Sequence, residues 1–262
     1  MEIKELQDFK DRKIKAKSIF HIREIDKVTC YNFVRQYHYL GEARFFCVYG
    51  YGLYYKSECG DVCVGVATYS NPNGALALKG WFGLENQDQT VLELSRLCLL
   101  PSLNGTNATS FLLGNSMKML VKHGIKAVIT LADASRHIGS IYQVCNFKYY
   151  GLTDAKTDFY DAELGKTRGD TKERRGVWVN RTRKHRYCYL LDKSLKVLYA
   201  EQPHPTQKAQ VPLDCCGGTK RIYDPRFGDW YSCPICCGYL QREGDSRKVV
   251  IQKKKYKQLS LF

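Results

Sequence analysis

Residues 91–151, VLELSRLCLLPSLNGTNATSFLLGNSMKMLVKHGIKAVITLADASRHIGSIYQVCNFKYYG, read as strand, helix, strand, helix and the start of a further strand. In VLELSRLCLL the period of two puts Glu93 and Ser95 on one face and Leu94, Arg96 and Cys98 on the other, so polar groups are sent to both sides of a sheet. After Pro101 the run NGTNATS is a glycine-containing, hydroxyl-rich turn, and Leu113, Met117, Leu120 and Val121 then recur at helical spacing until Gly124 stops the helix. A turn entering a helix in this way presents backbone N–H groups to an anion. The next strand, AVITLAD, ends at Asp133, and Ile138, Ile141, Tyr142 and Cys145 share a face of the helix that follows. The pattern predicts an α/β fold, in which ligands sit beyond the carboxyl ends of strands.

Working outward, DKVTCYNFVRQYHYLG predicts a helix from Asp26 with Gly41 as its stop, which places His38 and Tyr39 at its end. FFCVYGYGLYY and DVCVGVATYS predict an antiparallel hairpin joined by a polar KSECG turn. Tyr69, Ser70 and Asn71 fall at the end of its second strand, where a flipped base can be stacked or a plain turn formed. Residues 152 to 176 form a polar loop without periodicity. In GVWVNRTRKHRYCYLL alternating apolar residues share the chain with Arg181, Arg183, Lys184, His185 and Arg186, and Trp178 and Tyr187 offer stacking partners beside phosphate contacts.

The 262 residues are 44% hydrophobic, enough for one medium domain and a small one. No run of about 18 apolar residues offers a membrane span, and the charged opening MEIKELQDFKDRKIKAK is not a secretory signal, so the expected location is the cytoplasm. Forty-one Lys and Arg against twenty-six Asp and Glu give a net charge of +15, concentrated in the first 25 residues, in 172 to 186 and after 241, which favours a polyanionic partner and nucleic acid over a soluble protein that is merely basic. Of twelve cysteines, five cluster between 215 and 237, the signature of a metal site with reduced thiols elsewhere.

Several residues have chemical and structural readings side by side. Glu93 can serve as a general base or as the salt-bridge partner of Arg96, which is itself a possible phosphate contact. Ser95 lies beside them on the same strand. Asp133 suits a metal, a general base or an N-cap; Tyr142 suits a proton donor to a leaving thiolate or a core aromatic; His137 suits a cap or a ligand. His38 alone reads as a cation at a helix C-terminus.

The segments ELSRLCLLP, NATSFL and ITLADASRHIGSIYQVCNFKYYG, with the earlier FVRQYHYLG, resemble the Mom family of bacteriophage DNA-modification proteins over about residues 27 to 190. The resemblance implies a GNAT-like mixed sheet flanked by helices and a transferase that converts adenine in DNA to an N6-carbamoylmethyl derivative, protecting DNA from restriction in a bacterial host. It implies an active site at the His38–Tyr39 pair, with iron as a candidate ligand, and an acyl-CoA such as acetyl-CoA held by Arg96, Leu97, Asn104, Gly105, Thr106, Asn107 and Ala108. These last five do not reproduce the superfamily's Arg/Gln-x-x-Gly-x-Gly/Ala loop, so acyl-CoA follows from the resemblance and not from a motif. An acyltransferase acting on a protein or small amine, and a non-catalytic DNA-binding protein, stand as alternatives.

PHPTQKAQVP marks a linker, and beyond it LDCCGGTKRIYDPRFGDWYSCPICCGYL resembles zinc ribbons. Cys233 and Cys236 form a C-x2-C knuckle; Leu213 stands where a partner of Cys216 is expected, so that Cys215 or His204 completes four ligands around zinc or the site is degenerate. The final residues, Gln258, Leu259, Ser260, Leu261 and Phe262, match the QLSLF form of the peptide that binds bacterial sliding clamps. The expected organisation is a basic arm (1–25), a catalytic domain (26–197), a linker (198–212), a zinc module (213–240) and a basic tail (241–262), with double-stranded DNA and the clamp as partners and no membrane.

Overall fold

The computed structural model describes residues 8–11, 15–38, 45–57, 60–72, 77–85, 88–134, 137–154 and 183–206, together with the backbone of seven strand segments in 156–181 and 221–250. In chain order the elements are α1 (Ala16–Ile19), β1 (Phe20–Glu24), α2 (Lys27–Tyr37), β2 (Tyr49–Ser57), β3 (Gly60–Ser70), α3 (Ala77–Phe82), β4 (Val91–Leu99), a 3-10 turn (Pro101–Leu103), α4 (Ala108–Lys122), β5 (Ala127–Asp133), α5 (Ser140–Val144) and β6 (Lys148–Leu152). β7 (Lys156–Asp161), β8 (Lys166–Thr167), β9 (Val177–Arg181) and β10 (Lys184–Leu190) follow, then β11 (Arg221–Asp224), β12 (Asp229–Ser232), β13 (Tyr239–Leu240) and β14 (Val249–Val250).

The principal sheet has seven strands in the order β1-β2-β3-β4-β5-β10-β6. β1 through β4 pair antiparallel, and β4 pairs parallel with β5, the junction that requires the crossover helix α4. Neighbouring side chains of β4 go to opposite faces: Val91 packs with Leu78, Trp81 and Phe82 of α3, whereas Leu92 packs with Leu112, Leu113 and Leu120 of α4. A third cluster joins Phe33 and Val34 of α2 to Val66 and Cys98. Each fully buried Leu or Phe in these clusters stabilises the fold by about 1.5–3 kcal/mol.

Local chemistry sets the helix ends. Asp26 caps α2, its Oδ1 accepting from the backbone N–H of Val28 and Thr29 at 2.8 and 2.9 Å and its Oδ2 from Thr29 Oγ1 at 2.7 Å. The helix closes at Tyr37 with His38 as C-cap, before the glycine at 41. α4 ends at Lys122, followed by Gly124 with φ +76°; its buried face uses Leu112 where periodicity had pointed to Val121, which is exposed.

Two compact units are distinguished. The first comprises residues 1–132, 139–151 and 185–204 and holds the three clusters. The second comprises 133–138, 152–184 and 205–262. Its described strands form the antiparallel sheet β8-β7-β9 and two antiparallel pairs, β11-β12 and β13-β14. The basic run read as one alternating segment is therefore divided, Arg181 ending β9 and Lys184 opening β10 in another sheet.

Candidate active site at the opening of β4 and β5

β4 and β5 pair at three positions only, Val91–Ala127, Leu92–Val128 and Glu93–Ile129. Beyond Glu93 the ladder of β4 continues on the β3 side, and Thr130 Oγ1 donates to the Leu94 carbonyl at 3.2 Å. The end of the parallel pairing is the opening of β4 from β5, and Glu93, half-buried, stands at it opposite Ser70 of β3.

A β-bulge reshapes the next three residues. Tyr69 pairs with Leu94 and Thr68 with Arg96, so Ser95 is an extra residue in β4. Its hydroxyl lies 3.0 Å from Thr68 Oγ1, 3.0 Å from the Thr68 carbonyl and 3.3 Å from the Phe46 carbonyl. The bulge corrects the alternation expected from sequence: Leu94 and Leu97 pack in the same cluster, and Arg96 and Cys98 turn to the α2 side. Arg96 Nη1 donates to the Ser95 carbonyl at 2.6 Å, and its guanidinium carbon lies 5.2 Å from the centre of the Phe45 ring, which stacks on Tyr31.

His38 shares this side. Burial, and secondarily the positive charge of Arg96, hold its pKa down to about 4, so the ring is neutral at physiological pH. The reading of His38 as a helix-end cation is thereby overturned: desolvation outweighs the helix terminus. Tyr39 lies outside the described residues.

The turn between the 3-10 turn and α4 is held by its own side chains. Gly105 adopts φ +78°, Thr106 Oγ1 donates to the Leu103 carbonyl at 2.7 Å and accepts from Ala108 N–H at 3.3 Å, and Ser110 Oγ donates to the Asn107 carbonyl at 2.9 Å. Asn104 caps the 3-10 turn, and Leu97 packs half-buried against the first cluster. A groove of about 350 Å³ runs along α4, lined by Gly114, Met117, Lys118, Cys145, Asn146 and Tyr189.

Tyr142 is 9% exposed and packs against Phe147 and Tyr187 at 5.6 and 5.4 Å between ring centres. Gly139, at φ +72°, explains the glycine of HIGSIYQ: a Cβ there would lie 2.6 Å from Tyr187 and 3.0 Å from Tyr142. Asp133 ends β5 half-buried and its carbonyl accepts from His137 N–H at 3.1 Å; it belongs to the second unit.

Of the basic residues, Arg183 Nε donates to the Thr153 carbonyl at 2.6 Å, Lys184 is half-buried, and Arg186 lies 4.5 Å over the Tyr199 ring. Tyr187, read from sequence as a base-stacking partner, is fully buried because β10 is an interior strand, and it is a core residue. His204 stacks on Tyr187 at 6.1 Å. Cys215, Cys216, Cys233 and Cys236, and Gln258, Leu259, Leu261 and Phe262, lie outside the described residues. Among the described residues no three His, Cys, Asp or Glu converge on a metal position. Sequence reasoning passed over Phe45 and Phe46 as part of a strand; only long-range pairing brings them to Ser95 and Arg96.

Among the described residues no helix is long and apolar enough to cross a membrane. The chain is similar to the GNAT-family N-acetyltransferase YhbS of Escherichia coli in complex with CoA (16% identity, TM-score 0.36, 50% of this chain and 69% of that one). It is also similar to the ribosomal-protein-S18-alanine N-acetyltransferase of Escherichia coli (10%, 0.41, 70% and 100%) and an N-acetyltransferase of Staphylococcus aureus Mu50 (14%, 0.41, 66% and 99%). Likenesses this distant assign no activity. No curated protein matches the chain. The model of the Mom protein family matches residues 19–208, which span the principal sheet, the β4–β5 opening and His38, and the chain belongs to that family.

Proposed function

We propose that this protein is a GNAT-like transferase that alters the exocyclic amine of adenine in DNA, an N6-carbamoylmethylation-like change that shields DNA from restriction. The observation that carries the reading is membership of the Mom protein family over residues 19–208. A net charge of +15 supports a polyanionic substrate, since each phosphate contact releases counterions.

The residues at the β4–β5 opening suit the chemistry. Transfer to an amine requires the nitrogen to lose a proton as its new bond forms. His38, neutral at physiological pH, presents an acceptor nitrogen, and Glu93 at the opening is a second candidate base. Arg96 is fixed by its bond to the Ser95 carbonyl and supplies positive charge for developing negative charge. The turn before α4, where Asn107 makes no side-chain cap bond, is consistent with an acyl-CoA, with Arg96, Leu97 and Asn104 to Ala108 as the residues that would hold it. Such a group, when bound, would supply an activated carbonyl carbon, a transfer that yields an N6-acyl adenine and the free thiol; the N–CH2 bond of a carbamoylmethyl group is not formed by that transfer alone. For iron, His38 would be one ligand, and among the described residues no group of three His, Cys, Asp or Glu completes a site.

In the same reading Arg181, Arg183, Lys184 and Arg186 contact DNA phosphates, Cys215, Cys216, Cys233 and Cys236 hold a structural zinc, and the tail 258–262 engages the sliding clamp. Mass spectrometry of nucleosides from DNA of bacterial cells expressing the protein tests the activity. A mass-shifted deoxyadenosine is expected, lost in His38→Gln; an unmodified adenine pool under confirmed expression overturns the reading and leaves a protein or small amine as acceptor.

A further inference from the structure

Phe46 is 74% exposed, more than any other large hydrophobic side chain among the described residues, and two further ones, Val48 at 51% and Tyr37 at 40%, lie within nine positions of it in the chain. The backbone beneath Phe46 is held firmly. Its carbonyl lies 3.3 Å from Ser95 Oγ, Cys47 Sγ donates to the Tyr49 carbonyl at 3.4 Å, and Val48 N–H donates to the Tyr69 carbonyl at 2.7 Å. Its neighbour Phe45 lies beneath Arg96 and against Tyr31. An aromatic ring is thus presented to solvent from a hydrogen-bonded segment that touches Ser95 and Arg96 of the candidate site, on a chain of net charge +15.

An adenine amine inside a duplex is out of reach of any enclosed site, so the base must be turned out of the stack, and the vacancy it leaves favours an apolar side chain between the flanking bases. We infer that Phe46 is the wedge that enters the base stack in place of the target adenine while that base is turned toward Arg96 and His38. The inference rests on the proposed DNA-adenine activity and adds to it the residue that drives extrusion; a small-amine acceptor would have no use for such a ring. Anchoring by Ser95 keeps the ring in register with the site, so the wedge and the chemistry share one rigid support.

The test uses the full chain and duplexes in which 2-aminopurine, a fluorescent adenine isomer quenched by stacking, replaces adenine in every nearest-neighbour context. The wild-type protein raises the fluorescence on binding. Phe46→Ala keeps the melting temperature and the duplex affinity but loses about tenfold of the fluorescence gain at a paired base, and regains it where 2-aminopurine faces an abasic site and needs no extrusion. Phe46→Trp retains the signal at paired sites. A Phe46→Ala protein that matches wild type at paired bases overturns the wedge, as does one that stays dark opposite an abasic site. Wild-type protein that binds no duplex, or binds without fluorescence change in any context, overturns the DNA-adenine reading itself and the wedge with it.

Discussion

Replacing Arg96 by Gln asks why His38 is neutral, and the answer bears on stability and activity together. The imidazole titrates at about 4 in the folded chain instead of 6.5, chiefly through burial and secondarily through Arg96. That gap is worth roughly 3 kcal/mol at 1.36 kcal/mol per pKa unit as a ceiling, and on the order of 1–3 kcal/mol once solvent at a half-buried ring is allowed for. Between about pH 4 and 6.5 the unfolded chain binds a proton here that the native chain refuses, so stability rises with pH through that window. Acidification from 7 removes it progressively, and below about 4 this residue costs nothing further. Two-dimensional NMR of the ring, assigned with His38→Gln, should find the wild-type pKa near 4, and Arg96→Gln should raise it only part of the way to 6.5 because burial remains. Denaturation midpoints should fall with pH in parallel, and kcat/KM should show no acid limb near 6.5 attributable to this residue. A wild-type ring titrating at 6.5, or a variant ring restored fully to 6.5, would refute the assignment of burial as the cause.

Gly139→Ala should cost about 2 kcal/mol or more, because its Cβ meets Tyr187 at 2.6 Å at φ +72°, whereas Gly124→Ala, at φ +76° with nothing within 4 Å, should cost only about 1 kcal/mol of backbone strain; equal losses in thermal melts would contradict the packing account. Elemental analysis of protein purified without chelator should find one zinc per chain, and Cys233→Ser should lose the metal and the protease resistance of residues 213–240; metal-free wild-type protein ends that proposal. Deleting residues 258–262 should lower adenine modification in replicating cells and leave activity on naked DNA unchanged, and a QLSLF peptide should bind the host clamp with about micromolar Kd; full-length protein that shows no clamp binding at tens of micromolar refutes it.

What sequence could and could not convey follows from the range of the interactions. β4, α4 and β5 were legible because hydrophobic period and end signals are local: Leu113, Met117, Leu120 and Gly124 state the helix within one stretch of chain. The face of Arg96 was not legible, because an extra residue in a ladder is defined by the partner strand. Nothing in VLELSRLCLL announces that Thr68 will pair with Arg96 and leave Ser95 over. Tyr187 was misjudged for a related reason: the alternation around it suits an exposed basic strand, but β10 is placed between β5 and β6, and an interior strand buries its aromatic residues. His38 carries the same lesson in electrostatics, since the helix end favours a cation locally while burial, a property of the whole fold, removes it.

The bulge also explains why these distant residues act as one structure. Without Ser95 as an extra residue, strict alternation would turn Arg96 toward the α4 side, where Leu92 and Leu94 pack, and a guanidinium there would be buried among leucines without compensation. One inserted residue moves the cation to the side of His38 and Phe45, and the same residue's hydroxyl reaches the Phe46 carbonyl. The placement of the Arg96 charge, its share in keeping His38 neutral and the Ser95 contact to the Phe46 carbonyl therefore depend on a single irregularity in β4, set just past the last residue that pairs with β5.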